Sequence, residues 1–122
     1  MILDDNHSTW EQHSGGDGHY GPEWKSEDLA AAEAFYVSIS GKAKVFMDLL
    51  IDHPGQLLDV DRICALHPDV FDGSSSIAGS LSGLHQAHEA SGRRYPFYWW
   101  EGSPTSYSMK PLVANLFYRA RS

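Results

Sequence analysis

Two short patterns in the chain carry metal-ligand residue types: Cys64-Ala65-Leu66-His67 and His85-Gln86-Ala87-His88. A structural zinc site takes four such donors in a tetrahedron, and two spaced pairs can supply them. Residues three apart share a helix face only roughly, however, and a lone cysteine makes a weak thiolate set. Cys64, His67, His85 and His88 therefore read as a half-buried thiol beside surface histidines, with no metal expected. His7, His13 and His19 read as solvated side chains. The strongest basic grouping is Arg93-Arg94, with Lys110 beyond it in sequence and Lys42 and Lys44 earlier. Four or five cations on one face would grip phosphates and make binding salt-sensitive. Tyr98-Trp99-Trp100 offers stacking surface, although such a run more commonly packs a small hairpin, and any exposed remainder suits a protein interface. No Ser/His/Asp set or carboxylate pair stands out by local spacing. Gly15-Gly16-Asp17-Gly18 lacks the strand and helix that a phosphate loop needs. The sequence thus predicts a protein that is not an enzyme and holds no cofactor.

Composition narrows what these residues can do. The 122 residues suffice for one domain, and 42% hydrophobic content with four tryptophans supplies a core. The formal net charge of -7 opposes generic attraction to phosphate. Its distribution is uneven: residues 1–28 carry seven acidic side chains against Lys25 alone, a net of -6, whereas 29–122 carry eight basic and nine acidic groups. The single Cys64 rules out an intrachain disulfide and suits a reducing compartment. No membrane span or basic-then-apolar signal sequence is evident, so the expected location is cytoplasmic.

The elements that must position these groups follow from periodicity. Residues 1–27 lack helical or strand period and are expected to be a disordered acidic leader, with 28–122 the folded domain. Trp10, Tyr20 and Trp24 are unusual in such a leader, and an acidic, aromatic tail can also dock on its own domain or on a partner. Ser26 is the expected cap of a first helix, Leu29 to Ile39, and a second runs from Lys42 to Asp52 before His53-Pro54-Gly55. After an extended link at Gln56-Leu57-Leu58, Asp59 caps a short helix that ends before Pro68. Ser74-Ser75-Ser76 opens a long helix to Ser91, with Ile77, Leu81, Leu84 and His88 or Ala87 inward and Gly92 as its stop. Tyr95 to Glu101 and Ser106 to Met109 form a hairpin around Gly102-Ser103-Pro104-Thr105. Phe97 and Trp99 should cover the core, leaving Tyr98 and Trp100 to cross-strand contacts or solvent. Pro111 opens the last helix, Leu112 to Arg121.

The expected fold class is mainly α with a small β-hairpin wing (α+β): a winged helix-turn-helix with an extra C-terminal helix. The stretch from Ser40-Gly41-Lys42-Ala43-Lys44-Val45-Phe46, through Ile77-Ala78-Gly79-Ser80-Leu81 and Tyr95-Pro96-Phe97, to Tyr107-Ser108-Met109 resembles the winged-helix superfamily, and in particular small actinobacterial winged-helix proteins of uncharacterised function. The resemblance spans about residues 28 to 121 and implies a fold more than an activity. It implies duplex DNA as partner, read by Ser75, Ser76, Ser82, His85 and Gln86 on the long helix. Backbone contacts would come from Arg93, Arg94, Lys110, Lys42 and Lys44, and the role would be transcriptional regulation. The alternative is a winged-helix protein-interaction module without DNA binding, docking through Tyr98, Trp100 or the leader. A homodimer would suit two half-sites. The turn Gly102 to Thr105 carries no cation, and Glu89 on the long helix would repel phosphate.

Overall fold

A computed structural model describes residues 2–15 and 21–122. Asp17, His19 and Tyr20 of the expected leader lie outside the described residues. Helix α1 spans Leu29–Ser38, α2 Gly41–Asp52, α3 Val60–Leu66, α4 Ser74–Ser82, α5 His85–Ser91 and α6 Pro111–Arg121. Strands β1 (Leu58–Asp59), β2 (Tyr98–Trp100) and β3 (Ser106–Ser108) form an antiparallel sheet in the order β1-β3-β2. The protein is therefore a mainly helical α+β domain, as its periodicity predicts. The extended link before α3 adds the third strand: Leu58 pairs with Tyr107 and Asp59 with Ser106, on the β3 edge opposite β2. Asp59 also caps α3, its carboxylate accepting the Arg62 N–H at 2.8 Å.

The core lies where α2, α3 and α4 meet the sheet. Phe46 of α2 meets Phe97 and Tyr107 edge to face, at 5.4 and 5.2 Å between centroids. Ile63, Phe71, Ile77 and Leu84 close it, all fully buried. On the other side α1 packs on α5 and α6, where Phe35 and Phe117 contact edge to face. Tyr36 donates to Asp48 at 2.8 Å, and Arg121 bridges Asp48 and Asp52, so α1, α2 and α6 are tied by one polar cluster. Burial and the Asp48 carboxylate push the Tyr36 phenol up to about 12. No helix among the described residues is long and apolar enough to cross a membrane.

Three sequence expectations change. The long helix from Ser74 is two helices, because Gly83 and Leu84 bond three residues back, to Ser80 and Leu81, and tighten the turn. Serine hydroxyls favour that break: Ser80 donates to Ser76 and Ile77 carbonyls, and Ser82 to Gly79. The same rotation buries Ser80 and leaves Leu81 and His88 half-buried, so the inward stripe is Ile77, Ser80, Leu84 and Ala87. Ser26 does not cap α1. Asp28 occupies the cap position, and its carboxylate is turned instead to the Lys25 N–H and Arg93.

The third change is the largest. Over its described residues the leader is laid on the domain, with a 3-10 turn at Ser8–Gln12. The Leu3 N–H donates to Gly55 O and the Ser14 N–H to Trp99 O. Gly55 is at φ 71°, and a side-chain carbon there would run into the Leu3 carbonyl. Leu3, Trp10 and Trp24 are buried. Aromatic area supplies the reason: Trp10 lies 5.5 Å from Tyr98 and 5.8 Å from Trp100, covering the outer hairpin face that would otherwise meet water.

Candidate functional site

Helix α4 follows α3 across the link 67–73 and presents Ser74, Ser75, Ala78, Gly79 and Ser82 outward. Of the residues expected to read bases, Ser75, Ser82, His85 and Gln86 are exposed. Ser76 is half-buried and serves the local fold, its hydroxyl donating to Gly73 O while accepting from the Asp72 N–H. His85 and Gln86 belong to α5, beyond the turn, and His85 faces Glu89 at 3.0 Å. The small side chains of α4 allow a partner surface to approach its backbone closely. Ala43 at the head of α2 lies beside Gly83, just past the end of α4, and its neighbour Lys42 is exposed. Lys44 turns the other way, 5.1 Å over the Tyr36 ring beside α1.

The three remaining predicted cations do not face outward with α4; the segment 21–28, which runs from the leader into the domain, holds them. Arg93 makes a two-pronged pair with Asp28, Nε to Oδ2 at 3.1 Å and Nη2 to Oδ1 at 3.0 Å, and lies over Trp24. That guanidinium holds the Asp28 carboxyl below its ordinary range. Arg94 Nη1 and Lys110 Nζ converge on Glu23 Oε1 at 3.5 and 3.3 Å. Arg94 also donates twice to Gly21 O, and Trp24 Nε1 donates to Arg94 O at 2.7 Å. Sequence reasoning found the cations but not their counterions; the signal was the pairing of Trp24 with Glu23 and Asp28 in one short acidic run.

Tyr98 and Trp100, left by the sequence to cross-strand contacts or solvent and offered as a docking surface only in the alternative reading, are covered by Trp10, and Trp100 Nε1 donates to Thr9 O. The histidines are placed as follows. His7 and His13 accept backbone N–H bonds from Thr9 and Gly15, so neither is merely solvated. Burial, then Arg94 and Lys110, push His13 down. His88 stacks on Tyr95 at 3.9 Å with its Nδ1 buried and without a hydrogen-bond partner among the described residues, and burial pushes it below its ordinary value. Cys64 is half-buried, and among the described residues no three His, Cys, Asp or Glu side chains are grouped to hold a metal.

The chain belongs to a family of unknown function, DUF6416, whose model matches residues 29–122. No curated protein and no solved structure matches it. The match begins at the first residue of α1, so Glu23 and Trp24 lie before it and Arg93, Arg94 and Lys110 lie within it.

Proposed function

We propose that the chain is a cytoplasmic winged-helix protein that binds duplex DNA as a transcriptional regulator, with α4 entering the major groove. One observation carries this reading: the succession α3, link 67–73, α4, followed by a hairpin in a sheet of order β1-β3-β2, with α4 facing outward through small and hydroxyl side chains. Ser75 and Ser82 supply donors and acceptors for base edges, and Gly79 and Ala78 let the helix sit deep. Phosphate contacts come from Lys42 and from the exposed Arg62 of α3. A dimer places two such helices on paired half-sites, which selected sequences would reveal as a repeat.

The test is selection from genomic fragments with the full chain, then fluorescence anisotropy on a selected duplex across a salt series. Lys42→Glu should weaken binding and lower the slope of log affinity against log salt by about 0.9 for one lost phosphate contact. The second reading, a protein-docking module using the same α4 face, is favoured by one specific arrangement: Arg93, Arg94 and Lys110 are already neutralised by Asp28 and Glu23. Failure of every selected duplex to bind at low salt refutes the DNA reading and leaves that one.

A further inference from the structure

A cavity of about 190 Å³ lies where the leader crosses the base of the hairpin, between Tyr95 to Tyr98 and the first turn of α6. Trp24, Tyr95, Pro96 and Val113 give it apolar walls, while Arg94 and Lys110 mark its charged end. Both cations are about four-fifths buried, with side-chain exposures of 23% and 20%. Neither needs Glu23 to stay in place. Gly21 O accepts twice from Arg94, Tyr98 OH accepts a third bond from it at 3.3 Å, and Lys110 Nζ sits 5.4 Å over the Tyr98 ring. The Glu23 carboxylate that joins them is 55% exposed, so it is a solvated counterion of small energetic worth.

We propose that this cavity binds a small organic monocarboxylate with a compact ring-sized apolar body, its carboxylate replacing that of Glu23 between Arg94 Nη1 and Lys110 Nζ. Size sets the body: an apolar cavity of about 150 Å³ accepts benzene, so this one has room for a ring and one carboxylate. Charge sets the head. Asp5 also lines the site, so with the exposed Glu23 carboxylate turned out to water the two cations keep one unbalanced charge, which a monocarboxylate matches and a dianion exceeds. The incoming carboxylate keeps Arg94 and Lys110 paired once Glu23 has turned out, which a neutral head group could not do, and burying the ring against Trp24, Tyr95 and Pro96 adds to the affinity. The inference is independent of DNA binding, since it uses the two cations that face the leader rather than α4.

The experiment is a titration of the full chain with benzoate, followed by amide and indole N–H resonances, with benzamide and inorganic phosphate as controls. Benzoate should shift the Trp24 indole signal saturably, with Kd of about 1 mM for a ligand of this size. Glu23→Gln removes the internal competitor and should tighten binding about two- to fivefold. Lys110→Met keeps a long apolar side chain without the ammonium and should weaken binding at least about fivefold, with the unliganded melting temperature reporting that the variant folds. Benzamide should not bind. Equal binding of benzamide, binding of phosphate instead of benzoate, or no saturable shift in wild type and Glu23→Gln up to about 10 mM overturns the proposal.

Discussion

Replacing Trp24 with alanine tests the largest departure of the structure from the sequence expectation, that the leader is part of the fold. The Trp24 ring is 4% exposed and wedged between Phe35, at 5.8 Å and 90°, and Phe117, at 5.1 Å and 62°. Removing so large a buried aromatic side chain costs about 3–5 kcal/mol. The lost bond to Arg94 O adds little beyond this, because Trp24 also lines the open cavity and water can reach the freed carbonyl. For a domain with about 5–15 kcal/mol in total, Trp24→Ala should lower the urea midpoint by about 2 M. Trp24→Phe, which keeps a ring and loses the N–H, should cost about 1 kcal/mol. Denaturant unfolding followed by far-ultraviolet circular dichroism measures both. If Trp24→Ala falls within about 1 kcal/mol of wild type, the segment is a dispensable tail and its packing against α1 and α6 is refuted.

Other substitutions test the helix rotation and the charges. Ile77→Ala should cost about 2–5 kcal/mol, and Leu81→Ala less, because Ile77 is fully buried and Leu81 half-buried; the opposite order in urea unfolding would mean that α4 is rotated wrongly. His88 binds its proton less readily in the fold than in the unfolded chain, so its contribution is complete above the ordinary value of 6.5 and is lost as pH falls from there. His88→Phe should flatten the stability profile below about pH 6.5, and an unchanged profile would exclude His88 as its source. Asp28 has the same sign in a lower window: its contribution is present above 3.8 and lost as pH falls through its depressed folded value. Asp28→Asn should cost about 1 kcal/mol at neutral pH, and a double-mutant cycle with Arg93→Met should recover most of it as coupling. Zero coupling would show the pair to be energetically idle.

What the sequence disclosed and what it hid divide along a physical line. Local signals placed most elements to within one or two residues, because Asp59 as a cap, Pro111 at a helix start and Gly92 at a left-handed stop act through their own backbone. Periodicity failed at Leu81, which it set inward: Ser80 takes that place, because a hydroxyl satisfied by the Ser76 and Ile77 carbonyls is buried as readily as an apolar side chain. The leader failed for a different reason. Its contacts are long-range and heterogeneous, one tryptophan on a hairpin face and another between two phenylalanines, and such contacts leave no period in the segment that makes them. Aromatic content was the one trace they left, since Trp10 and Trp24 bring large apolar area to a run otherwise too polar to fold. The same reasoning explains the candidate site. Arg93, Arg94 and Lys110 are recognisable in sequence as a cluster, but whether cations serve a phosphate or an internal carboxylate depends on which acid the fold brings beside them. Here the fold brings Asp28 and Glu23, from the same docked segment that carries Trp24. The tryptophan that anchors this segment therefore also places the counterions of the cluster, so its loss should free these cations for other anions as well as destabilise the domain.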